Sequence, residues 1–542
     1  MPLFSRSRSR SRSGSNAQNS SAPAAAGAAA AAANGGEKAQ ASQAHAGVGG
    51  GLASYAALAG KGAGAGAEAG KAMAPSAGDG TQEDEDAGMG MDGGPVARSS
   101  EPQPALKPMQ MKVRLSFRTD IGGMSENQDN CFIWRHEPSG SFVIGVLDGH
   151  GRDVGRLAAH VVQAFMQDWL TSRWGEVKEN PAEAFRTLFR EAHESMLQSF
   201  REHLQGLGWT VKDNGGYLMK RRSMTQPWSC VHGGTSATLV ALVEGRTMYT
   251  ANVGDSSALL ALQGRRVEVS DLAQHSFWKD GGGVMAPCRE QGTVGDPALS
   301  PARAEDGFPC QTLLITADHS PESVREFERM RLTHPANRQG AASGGAAGKG
   351  GQQLGSAFSL PSLLVVYDSP STNKLKCSPV FDVDVKGAPR VTNKGRYYKN
   401  VRKEWASLVA TPTSARFQDA LAFTRSIGDF HLQTYGVSHV PDVMSLDLQQ
   451  LFHREQGGGV PDEMLVCLVA ASDGVWDNWV YGDVSAFFLK PSRTAEVVET
   501  NSAEGVTEAF MQENARKANA NFGSQADNST CVACYLIVSL DS

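Results

Sequence analysis

Residues 141–151 read SFVIGVLDGHG, an apolar run closed by an aspartate, a histidine and two glycines. The run is too short for a helix and rich in Val and Ile, so it reads as a buried strand. It ends in Asp148, with His150 two residues on and Gly149 and Gly151 beside them. Glycines at such places let the chain turn sharply and bring backbone carbonyls close to whatever the carboxylate holds. The preceding DNCFIW and RHEPSGS read as the partner strand and its turn. With the turn centred on Pro138 and Ser139, Asp129 and Asp148 lie about equally far from it. A hairpin in that register sets the two carboxylates side by side at its open end. Adjacent carboxylates repel unless a proton or a cation sits between them, and a metal ion is the more productive answer.

The pattern recurs. TMYTANVGD ends at Asp255, QTLLITAD at Asp318 and EMLVCLVAASD at Asp473, while Asp527 and Asn528 precede the strand-like STCVACYLIVSL. Taken singly, each is a turn or capping aspartate at a strand end. In an antiparallel sheet the end of one strand lies beside the start of the next, so together several of these acids converge on one rim.

VLDGHG, GGTSATLVAL, ANVGDSSALL, LITADHSPESVREFERM, LAFTRSIGD, ASDGVWDNW and ADNSTCVACYLIV resemble, in this order, the motifs of metal-dependent protein phosphatases of the 2C type, the PPM family. The resemblance runs from about Asp120 to the C-terminus, broken by insertions.

The 542 residues suffice for one large domain or two ordinary ones, and the net charge of −6 gives no composition argument for nucleic-acid binding. Eight scattered cysteines do not frame a small secreted scaffold and point to a reducing compartment. No stretch reaches the apolar length of a membrane span. The expected compartment is therefore cytoplasmic or nuclear, and the expected state a monomer.

Residues 1–105 are low in complexity: SRSRSRSRSGS, then Ala/Gly tracts, then an acidic knot at Glu83–Asp86. So little large apolar surface does not offset chain entropy, and a disordered tail is expected. Its acid-free leader has the composition of an organelle transit peptide, of a flexible basic tail and of a segment phosphorylated on alternate serines. The solvated tail is the reading preferred.

The folded part, 112–542, opens with VRLSFRTDIGG. RDVGRLAAHVVQAFMQDWLTSRW and PAEAFRTLFREAHESMLQSFREHL have helical spacing. In the second, Phe185, Leu188, Phe189, Ala192, Met196, Phe200 and Leu204 share one face, and Pro181 suits a first turn. VTEAFMQENARKANAN reads as a further helix before the last strand. Turns such as Glu244–Arg246 make the strands largely antiparallel, so the fold class is α+β, with two packed sheets and helices outside. The resemblance implies the same: a four-layer α-β-β-α sandwich with metals in a cleft at one end. Gly206–His232 and Gln274–Cys310 read as loops. The longest insertion, at about 332–417, holds a Gly-rich linker and the basic, aromatic GRYYKNVRKEW. By resemblance it is an enlarged flap beside the active site. GRYYKNVRKEW suits an acidic partner or phosphopeptide flank, or equally a solvated charged edge.

Phosphate monoesters are inert. The usual protein solution is two divalent metals about 4 Å apart, and oxygen ligands suit Mg²⁺ or Mn²⁺. The resemblance implies hydrolysis of phosphoserine or phosphothreonine in protein substrates by direct attack of metal-bound water. It implies that Asp148 bridges two metals and that Gly149 lends a carbonyl to one. Asp473 and Asp527 would complete the other, and Asp129 would hold metal-bound water or the second ion. Asp255 would join Asp473 at a weaker third position. His150 is placed to protonate the leaving alkoxide. Asp318 and His319 read as a strand-end turn and helix cap, and Arg425 and Asp429 as an ion pair shaping the site.

Two features depart from the family. The position that commonly carries an Arg or Lys before the first acidic motif falls at Met124 or Ser125, so Arg114 or Arg118 would have to reach across. The GDS block, which usually ends in arginine, has Ser257. These losses support an alternative, a catalytically weak phosphatase-like binding module acting through flap and tail; the full aspartate set opposes it. A nuclease would need a basic groove that the sequence lacks. Cys531 and Cys534, three apart on a strand, point to opposite faces and read as core cysteines.

Overall fold

The computed structural model describes residues 109–263, 302–303, 309–317, 319–333, 361–369, 376–448 and 463–540. The expected tail at 1–105, Asp318, the Gly-rich linker and most of 274–310 lie outside the described residues.

Two antiparallel sheets carry the fold. The first has six strands in the order β1 (Met109–Asp120), β21 (Ser529–Leu540), β20 (Glu463–Ala471), β10 (Ser257–Gln263), β12 (Pro309–Leu314) and β11 (Ala302–Arg303). The second runs β18 (Ile427–Gly428), β7 (Gly234–Thr235), β3 (Ser141–His150), β8 (Ala237–Val243), β9 (Thr247–Val253) and β19 (Asp442–Asp447), with β2 (Asp129–His136) also paired to β3. Alternate residues explain the stacking. Val466, Leu468 and Ala470 of β20 meet Ile144 and Val146 of β3 and Val240 of β8 in a core between the sheets. Leu465, Cys467 and Val469 point the other way, toward helices. Both faces are covered, so these strands are apolar throughout instead of alternating. Cys534 belongs to the core between the sheets and Cys531 to the helix-facing core, as their spacing predicts.

The second sheet is covered by α1 (Gly155–Glu179) and α2 (Pro181–Gly206). All seven apolar residues expected on one face of α2 are buried. Asn180 caps α2, its side chain accepting from the Glu183 N–H, and Pro181 stands in the first turn, where no intrahelical donor is lost. The first sheet is covered by α5 (Asp473–Trp476), α6 (Tyr481–Phe488), α7 (Pro491–Thr500) and α8 (Glu504–Phe522). Two shorter helices, α3 (Val324–Thr333) and α4 (Phe430–Gln433), lie between β12 and β19 in the chain. The layers are helix, sheet, sheet, helix.

The insertions are more regular than their composition suggests. Gly206–His232 is not loop-like: it forms a three-stranded sheet of β4 (Thr210–Asp213), β5 (Leu218–Arg221) and β6 (Ser229–Cys230). Its strands are short, and β4 is exposed but for Val211, so no apolar periodicity marks it. The described part of 332–417 holds β13 (Leu364–Tyr367) and β16 (Ser407–Ala410), joined by β17 (Ala420–Leu421), and the separate pair β14 (Phe381–Val383) and β15 (Pro389–Val391).

Candidate functional site

The hairpin register is the expected one. Asp129 at the start of β2 stands opposite Asp148 near the end of β3, and the turn is a short 3₁₀ segment, Glu137–Ser139, closed by Gly140 at φ 63°. Gly149 follows Asp148 where the chain is squeezed. A Cβ there would overlap the carbonyl oxygens of Gly155 and Gln128, so only glycine fits. Asp255 lies in the turn between β9 and β10, Asp473 opens α5 directly after β20, and Asp527 precedes β21. One carboxylate oxygen from each of Asp148, Asp255 and Asp473 lies within 4.8 Å of the others. The charge of Asp527 acts on Asp129, Asp148 and Asp473. The sheets thus bring all five predicted acids to one rim.

Polar side chains fix this rim. The Ser472 hydroxyl donates to Asp129 Oδ2 (2.7 Å) and accepts from the Thr530 N–H (2.9 Å). Asn528 accepts from the Gln128 N–H (2.8 Å) and donates to the Ile121 (2.9 Å) and Glu126 (3.1 Å) carbonyls, stapling the 121–128 loop to the start of β21. Asp129 Oδ1 and Asp255 Oδ1 are buried without a hydrogen-bond partner.

Burial, followed by the charges of neighbouring acids, holds the Asp148 and Asp473 carboxyls well above the usual carboxylate range. Asp129 is pushed up to about 7, mainly by burial, against hydrogen bonds from Ser472 and Thr530. An all-oxygen donor set, crowded acids and orphaned buried oxygens together fit hard divalent cations.

His150 stands beside this cluster. Its Nε2 is 2.6 Å from Asp429 Oδ2, and its ring meets Phe423 edge-on at 5.1 Å. Burial alone would lower its pKa, but the charge and hydrogen bond of Asp429 outweigh that and raise it. Asp429 is therefore not the partner of Arg425. Arg425 donates instead to Glu326 (2.6 Å) and pairs with Asp442 (3.1 Å), inside a buried group that includes Arg325 and Arg329. The four-residue spacing from Arg425 to Asp429 would match a helix face, but the segment is extended at β18, which separates the two side chains. His319 is no helix cap either: buried, it sits 2.9 Å from Asp442 Oδ2 and 3.2 Å from the Gly254 carbonyl, bracing the turn that carries Asp255. His319, Glu326 and Asp442 also form a compact trio, but guanidinium groups already satisfy its acids.

Asp477 was missed. It lies four residues after Asp473, and its neighbours include Asp473, Asp255 and Glu404. The i,i+4 spacing in DGVWD was the available signal. Arg114 and Arg118 do not reach the site: Arg114 donates to Asn501 and Val113, and Arg118 binds Glu504 and Glu508 (both 2.6 Å). Met124 and Ser257 carry no charge. The basic segment of this insertion is docked on the chain itself, with Arg402 donating to the Trp476 and Trp479 carbonyls.

Residues 125–275 match the family profile "Protein phosphatase 2C". That stretch is similar to protein phosphatase 2C. Solved structures similar to this chain include serine-threonine phosphatase 2C from Toxoplasma gondii, 14% identical over 80% of this chain and 100% of that one, with a TM-score of 0.40. The serine/threonine phosphatase of S. agalactiae is 16% identical over 79% and 100%, with a TM-score of 0.33. PstP of Mycobacterium tuberculosis is 11% identical over 79% and 99%, with a TM-score of 0.32. No curated protein sequence matches this chain. Among its described residues, no helix is long and apolar enough to cross a membrane.

Proposed function

We propose that this 2C-type chain is a protein serine/threonine phosphatase that hydrolyses phosphoserine and phosphothreonine with two divalent cations, Mg²⁺ or Mn²⁺. The observation that carries the reading is the convergence of Asp129, Asp148, Asp255, Asp473 and Asp527 on one rim beside His150. Asp129, Asp148, Asp473, Asp527 and the Gly149 carbonyl would hold the cations, with Asp255 at their margin. When bound, such cations offset phosphoryl charge and acidify water.

The chain's own residues supply the proton. With His150 Nε2 donating to Asp429, Nδ1 is the nitrogen left to protonate the departing serine or threonine oxygen. Asp429 orients the ring and favours the imidazolium that must form.

The test is hydrolysis of a phosphothreonine peptide with Mn²⁺, with Mg²⁺ and with EDTA. Turnover with either metal and its loss in EDTA is the expected result; undiminished hydrolysis after exhaustive metal removal would overturn the mechanism. A second reading, a catalytically weak binding module, draws support from the absence of a cation at Met124 and Ser257 and from the commitment of Arg114 to Asn501 and of Arg118 to α8. Peptide binding without turnover under all three conditions would favour it.

A further inference from the structure

The segment Tyr397–Trp405 folds back on itself. Tyr398 bridges Trp405, their rings stack at 4.1 Å, and the Lys399 N–H donates to the Glu404 carbonyl (2.8 Å). Asn400 Oδ1 accepts from the backbone N–H groups of Arg402 (3.1 Å) and Glu404 (3.2 Å), which fixes the tip. This loop is clamped onto the end of α5. The Val401 N–H donates to the Asp477 carbonyl (3.1 Å), and the Arg402 guanidinium caps the Trp476 and Trp479 carbonyls and lies 4.7 Å from the Tyr481 ring centre.

Docking seats the Lys399 side chain, 15% exposed, 3.8 Å from Glu404, where its charge acts on Asp255 and Asp477. Burial would lower its pKa, but the charges of Glu404, Asp477 and Asp255 outweigh that and keep the ammonium protonated. Arg402 spends its donors on Glu404 and on carbonyls, and Lys399 is the larger positive influence on both Asp255 and Asp477. Three acids, Glu404, Asp477 and Asp255, act on it there.

We propose that Lys399 is a built-in cation that fills the Asp255–Asp477 end of the acidic cleft and excludes a divalent ion from it. The inserted loop thereby replaces an exchangeable ion with a fixed one at the margin of the site. This rests on the metal-dependent reading given above, and it removes Asp255 from the set that would hold a further ion.

The experiment is Mn²⁺ stoichiometry by isothermal titration and by electron paramagnetic resonance on the full chain. Lys399→Met should bind one more Mn²⁺ per chain than wild type, because removing the ammonium leaves the acids uncompensated. Lys399→Arg should keep the wild-type count, and adding Asp477→Asn to Lys399→Met should restore it. Asp477→Asn alone should leave the count unchanged. The inference is overturned if Lys399→Met and wild type bind equal numbers, or if Asp477→Asn alone loses an ion. Should Lys399→Met not fold, Arg402→Gln frees the loop and should gain the same ion, and Asp477→Asn still decides. Ion counts read the inference whether or not the chain hydrolyses phosphopeptides, so failure of either statement is seen separately.

Discussion

Asp473 shows what a single carboxylate contributes here. Burial and the charges of Asp255, Asp477 and Asp527 hold its carboxyl protonated well above the usual range. An acid raised on folding binds more protons folded than unfolded, so stability falls as pH climbs from its ordinary value toward the raised one. Asp473→Asn removes that penalty. At pH 8 the metal-free variant should melt higher than metal-free wild type, while phosphopeptide turnover falls at least 10²-fold; scanning calorimetry and a Mn²⁺ assay check both. Normal turnover would mean that the rim acids are structural. His150 yields a second prediction. A general acid works while protonated, so the rate should decline as pH rises through its raised pKa. Asp429→Asn keeps an acceptor, and asparagine tolerates the left-handed backbone at φ 43°, but the charge is gone. The alkaline limb of the kcat/KM profile should then move down by roughly one to two pH units, and an unmoved limb would show that Asp429 does not set the His150 proton.

At the scale of elements, α2 is tied to β18 by one imidazole. His193 Nδ1 accepts from the Gly428 N–H (3.1 Å), and its ring stacks on His439 at 4.1 Å. Burial, then the His439 charge, lowers its pKa to about 3. The unfolded chain takes up this proton near pH 6.5 and the folded one does not. Stability from this group is therefore complete above 6.5 and lost as pH falls, by about 1.4 kcal/mol per unit. His193→Gln should flatten the fall of Tm between pH 6.5 and 4, measured against wild type without added metal. None of this was legible in the sequence, because His193 looks like one more polar residue on a helix. Local pairs were legible where a short turn fixes register, as with Asp129 and Asp148. Arg425 was misread because its partner Glu326 is 99 residues away. The flap's basic segment was likewise ambiguous: whether Arg402 meets solvent or α5 depends on docking, which composition does not encode.

For the molecule as a whole, the four layers could be read from continuous apolar strands and two amphipathic helices, because both sheets are buried on both faces. The order of strands was less legible, since the first and last strands of the sandwich are neighbours. Met109–Asp120 pairs with Ser529–Leu540 along its whole length. Met111, Val113 and Leu115 pack on the core between the sheets, and Arg118 binds Glu504 and Glu508 of α8. A truncation series should therefore show a sharp boundary. Removing residues 1–105 takes away a composition with few large apolar side chains and should leave Tm and turnover nearly unchanged. Removing residues 1–120 takes away those packed side chains as well and bares β21 as an open sheet edge. That form should aggregate or melt lower by on the order of 10 °C, with turnover lost because Asn528 and Asp527 lie at the start of the bared strand. Calorimetry and the Mn²⁺ assay on both truncations decide. If the shorter deletion already costs several degrees, the N-terminal segment packs on the sandwich; if the longer one costs nothing, the β1–β21 pairing does not hold the site together.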